Sequence, residues 1–159
     1  MQALVTLPEG QAGVRSVPIP TPDPGQILVR VKVIALNPTD PFYVIHPASP
    51  PSRTVGSDFS GIVDKLGEGT EGRWKVGDPV AGFLHGCMFL LCSQSEALSY
   101  NRTKACQSNV LPGAFAEYLV VDADLVFGIP PSISFEEAAT MSLCLCTAAN
   151  VTRYYFLWI

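Results

Sequence analysis

TVGSDFSGIVDKLGEGTEGRWKVGDPVAGF, residues 54–83, alternates apolar residues along its length while glycines and charges punctuate it. Ser60–Leu66 has the period of a strand, Gly67–Gly72 is a glycine-rich turn, and Lys75–Val80 is a second turn that leads into a strand over Val80–Leu84. Residues 67–72 also spell G-x-G-x-x-G after a strand, which is half of a dinucleotide fingerprint. The other half is a helix, and Arg73–Pro79 cannot open one, because Gly77 and Pro79 fall within its first two turns. Glu68 and Glu71 would also place negative charge where a pyrophosphate needs positive potential. The stretch is therefore read as strand, turn, strand.

Outward from it, the N-terminal part is also β. Met1–Leu7 reads as a short strand, Ser16–Gly25 as a connector dense in proline, and Gln26–Ala35 as a half-buried strand of alternating apolar and polar residues. Asn37 followed by Pro38 suits the start of a short helical turn, with Asn37 as its cap. Beyond the central stretch, Gly113–Asp122 alternates again as a strand. Ser134 with Glu137 three residues on forms a capping box, so a helix is expected from about residue 135, with Glu136 and Glu137 suited to its positive start.

The chain of 159 residues carries a formal charge of −4, with 48% hydrophobic and 15% charged residues. That composition is globular, sufficient for one ordinary core, and it lacks the basic runs that nucleic acid or an anionic membrane would require. The first ten residues have no basic segment and include Glu9, so no signal peptide is read there, and no apolar run reaches the roughly 20 residues of a membrane span. A cytoplasmic location follows as the expectation. Five cysteines without a secretion signal suggest reduced thiols, and Cys144 and Cys146 are read as core filler. The sequons at Asn101 and Asn150 are read as chance matches.

Val-Gly-Ser-Asp-Phe-Ser-Gly-Ile-Val (55–63), Val-Gly-Asp-Pro-Val (76–80) and Gly-Ala-Phe-Ala-Glu-Tyr (113–118) together resemble the GroES-like domain of the medium-chain dehydrogenase/reductase superfamily, in its quinone-reductase and fungal trans-acting enoyl-reductase branch. The resemblance covers about 1–86 and 108–149. It implies a mainly β partial barrel with short helices, a GroES-like catalytic domain over 1–149, and no Rossmann domain within the chain. It implies NADPH as cofactor, a small-molecule or carrier-bound acyl substrate, and a polyketide synthase as a partner. By the same resemblance Asn37, Asp40 and Thr147 are the candidate catalytic residues, with Asn37 and Thr147 also facing the nicotinamide.

Zinc-dependent members carry a metal-ligating Cys where this chain has Asn37 and a His where it has Ser57. Neither an amide nor a hydroxyl is a usual primary zinc ligand, so no catalytic zinc is expected. Hydride transfer to a polarised alkene or quinone is the chemistry left to such a site. Trans-acting enoyl reductases often continue Asn-Pro-x-Asp with Trp-Lys, where this chain has Pro41-Phe42.

Three features depart from the family pattern or invite another reading. Residues 87–107 form an irregular insertion of 21 residues, a whole-codon length that a retained intron would supply. Cys87, Cys92 and Cys106 lie within it and offer the rival reading of a zinc-binding module, although their spacing is not that of closely set pairs. Residues 150–159 resemble nothing in the family. His46 and His85 are read as solvated loop side chains. A non-catalytic remnant that only binds a partner is the remaining alternative.

Overall fold

The computed structural model describes residues 1–45, 51–84 and 113–156, with side chains described as far as Ala149. Among the described residues seven strands and two α-helices run in the order β1 (Gln2–Leu7), β2 (Gln11–Ser16), β3 (Gln26–Ala35), α1 (Thr39–Ile45), β4 (Asp58–Leu66), β5 (Pro79–Phe83), β6 (Tyr118–Asp122), β7 (Val126–Gly128) and α2 (Phe135–Phe156). Five strands form an antiparallel sheet ordered β6-β3-β4-β5-β7, and β1 with β2 forms a separate hairpin. The hairpin is tied to the rest by single bridges from Ala3 to Ala116 and from Val5 to Thr54. The result is two partial sheets that do not close into a barrel, mainly β with short helical pieces, as the sequence implies.

β4 occupies the centre of the larger sheet, which is why its stretch carries so much of the fold. It is buried along most of its length, and Phe59 and Val63 meet Ile27 and Val29 of β3, Val80 of β5, Leu119 and Val121 of β6 in one apolar cluster. Removing such side chains from water, at about 25 cal/mol per Å² of apolar surface, is the main source of stability here. Two register shifts in the β3–β4 ladder, between Leu28 and Val29 and between Val31 and Val33, interrupt the regular pairing. Beyond β4 the G-x-G-x-x-G run is a turn, as read from the sequence: Gly67 N–H donates to Gln26 O at 2.8 Å, and Thr70 Oγ1 donates to Gly67 O at 2.7 Å.

Gly56 must be glycine. Its φ is +95°, and a Cβ there would run into the Phe115 ring. The contact lets residues 54–57 lie flat against 113–115, with Phe115 N–H donating to Val55 O at 2.9 Å and Ala114 N–H to Gly56 O at 3.0 Å.

The observed elements correct several sequence expectations. β2 shows no apolar period, is exposed at nearly every position and is held by its register with β1, and β7, three residues long, is too short to show a period. β4 begins at Asp58 rather than Ser60, because Asp58 pairs with both Ala35 and Phe83. The strand expected from Gly113 begins only at Tyr118, since residues 113–117 spend their backbone groups on residues 54–57 and on β1 and β3. The capping box is present as expected: Ser134 N–H donates to Glu137 Oε2 at 2.9 Å, and Glu137 N–H to Ser134 Oγ at 3.2 Å. α2 begins at Phe135, where the capping box places it, and runs to Phe156. Cys144 and Cys146 are exposed rather than core filler. The helix meets the sheet with Ala138, Ala139 and Ser142, and every side chain from Cys144 to Ala149 is exposed.

Candidate active site

The register of the central sheet builds the site. Ala35 at the end of β3 pairs with Asp58 at the start of β4, so the chain leaving β3 passes directly over that aspartate. Two residues on, Asn37 donates from Nδ2 to Asp58 Oδ2 at 2.9 Å. Asp58 Oδ1 accepts the main-chain N–H of Leu143 on α2 at 3.0 Å. One carboxylate thus joins the β3–α1 connection to the C-terminal helix.

Asn37 does not cap α1 with its side chain, contrary to the expectation, because that side chain is spent on Asp58. The cap is made in the opposite sense. Asp40 Oδ2 accepts the Asn37 main-chain N–H at 2.7 Å, while Asp40 N–H donates to Asn37 O at 3.0 Å. Ser57 Oγ donates to Asp40 Oδ1 at 3.5 Å, at the outer limit of a hydrogen bond. Asn37 is therefore gripped by two carboxylates, one through its backbone and one through its amide.

Burial sets the electrostatics. Asp40 is 4% exposed and Asp58 1%, and neither has a cationic partner among the described residues. Desolvation raises the carboxyl of Asp40 above the ordinary carboxylate range, against the lowering effect of the Asn37 N–H and the Ser57 hydroxyl. Asp58 is raised chiefly by the same desolvation and further by the neighbouring Asp40 charge, against the Asn37 amide and the Leu143 N–H. The pair favours holding a proton to a higher pH than free aspartates do.

Of the sequence-nominated residues, Asn37 and Asp40 are in direct contact, and Ser57 joins them. Thr147 is not among these contacts: it is exposed on α2, four residues beyond Leu143 and so about 6 Å further along the helix on the same face. Sequence reasoning missed Asp58. The available signal was an acid directly before the Phe59–Val63 run, in an extended segment, where aspartate is depleted.

The donor set does not suit zinc. At the two positions where zinc-dependent members place Cys and His stand an amide whose nitrogen is committed to Asp58 and a hydroxyl directed at Asp40. Among the described residues no three His, Cys, Asp or Glu stand together as a metal-binding group. Cys87, Cys92, Cys106, His46 and His85 lie outside the described residues. No described helix is long and apolar enough to cross a membrane.

The architecture and the sequence agree with known proteins. Residues 23–131 match the alcohol dehydrogenase GroES-like domain. The chain is 40% identical over 144 residues to the trans-enoyl reductase resD of Aspergillus sclerotiorum, covering 90% of this chain and 35% of that protein. It is 34% identical over 149 residues to the trans-enoyl reductase ACTTS2 of Alternaria alternata, covering 94% of this chain and 38% of that one. The chain therefore spans little more than a third of the length of these relatives. Among solved structures, an alcohol dehydrogenase superfamily protein from Novosphingobium aromaticivorans superposes with a TM-score of 0.71 at 25% identity, over 93% of this chain and 40% of that one. Escherichia coli quinone oxidoreductase complexed with NADPH shares the fold, with a TM-score of 0.63 at 24% identity, over 87% of this chain and 36% of that one. The match over residues 23–131 and the shared fold place the chain in the alcohol dehydrogenase GroES-like domain family, within the medium-chain dehydrogenase/reductase superfamily.

Proposed function

We propose that the chain is the GroES-like part of a zinc-independent, NADPH-dependent oxidoreductase that reduces an enoyl thioester presented on a carrier by a polyketide synthase. The observation that carries this reading is the likeness to trans-enoyl reductases, at 40% and 34% identity over 90% and 94% of the chain. The chemistry of the cluster is compatible with it. A nicotinamide cofactor, when bound, supplies the hydride for an activated double bond. Asn37 and Thr147 would line one wall of the nicotinamide site, Asp40 would hold the Asn37 backbone, and the surrounding burial would limit water. The fold shared with an NADPH complex supports the choice of cofactor. A cytoplasmic setting completes the reading.

One wall does not fix a ring. Positioning both reactants is worth about 7–11 kcal/mol of barrier in favourable cases, and residues 67–72, the only G-x-G-x-x-G in the chain, form a turn between strands rather than a phosphate cradle. The 159-residue chain by itself is expected to show neither sub-millimolar NADPH binding nor turnover of an enoyl thioester. Fused to the remaining two thirds of a trans-enoyl reductase relative, it is expected to gain both, read by cofactor fluorescence and by NADPH consumption. A well-folded fusion that binds NADPH but reduces neither enoyl thioesters nor quinones would refute the proposal.

A further inference from the structure

We propose that Asp58 is a positioning residue that couples the Asn37 amide to the face of α2 bearing Thr147, so that the two nicotinamide-facing elements move as one unit. The role rests on the functional reading above for its purpose, but its geometry stands apart from it. Asp58 is almost fully buried at the head of the central strand, and each of its carboxylate oxygens takes one donor from a different element: Asn37 Nδ2 at 2.9 Å and Leu143 N–H at 3.0 Å. Helix N–H groups ordinarily bond the carbonyl four residues back, so an N–H in the body of α2 directed at a side chain marks where the helix is fastened to the sheet.

The fastening selects a face. Leu143 and Thr147 are separated by one helical turn, so rotation or sliding of α2 that displaced Thr147 would also stretch the Leu143–Asp58 bond. At the other oxygen, the bond holds the Asn37 side chain in one orientation with its nitrogen inward. Among the described residues no donor is bound to Asn37 Oδ1, which leaves that oxygen as the amide's free acceptor. The ligand group it would take is an N–H or O–H donor, such as a carboxamide or a sugar hydroxyl, rather than a carbonyl oxygen. Asp40 and Ser57 act on the Asn37 side alone.

The test uses the full 159-residue chain, isotope-labelled, with the wild type and the D58N and D58A variants compared by NMR. The first readout needs no ligand: the Asn37 side-chain NH₂ and the Leu143 amide of the wild type are followed through an acid titration. They are expected to move together on one curve, because one carboxylate accepts from both; Asp40, which also faces Asn37, is separated by repeating the titration in D40N. Independent curves for Asn37 and Leu143, or no movement of either, would overturn the proposal. In D58A, Leu143 N–H exchange with solvent is expected to quicken about tenfold or more, the scale of losing a hydrogen bond to a charged group, with the exchange of β3 and β4 amides unchanged. Unchanged Leu143 exchange would overturn it. Millimolar NADPH then separates the coupling from the function. Shifts at Asn37 and Thr147 in the wild type that disappear in D58N support the positioning role, and shifts identical in D58N refute it. Should the wild type show no shift at either residue, the same comparison is made in the fusion described above, and the ligand-free readouts still decide whether Asp58 couples the two segments.

Discussion

The Asn37 amide and the Asp58 carboxylate, 21 residues apart in sequence, are joined at 2.9 Å because β3 ends beside the start of β4. Burial of the acceptor makes that bond sensitive to pH. Asp58 and Asp40 are both raised by desolvation, so the folded state favours their protonated forms relative to the unfolded chain, where the reference value is 3.8. Their contribution is fully present below that reference value and is lost as pH rises through the raised folded values. Urea midpoints followed upward from about pH 4, the ordinary aspartate range, should therefore show a fall in the wild type that is smaller in D58N and smaller again in the D40N/D58N double variant. A difference curve that rises with pH instead would mean that the hydrogen bonds outweigh burial.

The described residues that flank the segment 85–112 are tied to the same stretch of chain. Leu84 N–H donates to Ser57 O at 2.9 Å and Ala114 N–H to Gly56 O at 3.0 Å, so the flanks lie side by side before the segment begins. Closing a shorter link between flanks already in place costs little, since each doubling of loop length changes the entropy by only about 0.6 kcal/mol. Deletion of residues 87–107 is expected to leave the melting temperature equal or higher, measured by circular dichroism. A chain that no longer folds would show that the insertion is structural.

Gly56→Ala should be among the most damaging single substitutions. The backbone is held at φ +95°, and the new methyl would occupy the space of the Phe115 ring. Left-handed strain and overpacking add to an expected loss of about 2–5 kcal/mol. Gly69→Ala, where φ is +83° but no atom lies within 4 Å, isolates the strain and should cost about 1 kcal/mol. Chemical denaturation of both variants reads the difference.

Purified protein is expected to contain no stoichiometric zinc. The amide of Asn37 and the hydroxyl of Ser57 are each committed to a carboxylate, and neither belongs to the usual ligand set. Elemental analysis after dialysis against a chelator measures this directly. One retained equivalent would return attention to Cys87, Cys92 and Cys106, and replacement of those three would then have to abolish it.

The local features were legible in the chain itself. Ser134 and Glu137 declare a helix start because a capping box needs only four consecutive residues; β3 declares itself because apolar and polar residues alternate along it, and the body of β4 because its apolar residues run into a glycine-rich turn. Gly77 and Pro79 likewise decided that the G-x-G-x-x-G run is a turn, since no tertiary contact restores a helix through them. Tertiary structure decided what adjacency could not. β2 exists because β1 supplies its hydrogen bonds, not because its residues prefer to extend, and β7 is three residues long and is defined by its pairing with β5. Asn37 looked like a cap until Asp58 took its amide, and Cys144 and Cys146 looked apolar enough for a core until α2 left the sheet after Leu143. Asp58 is the strongest case: a carboxylate's two oxygens can join β4, the Asn37 turn and α2 only after register and helix docking have brought donors 21 and 85 residues away to within hydrogen-bonding distance.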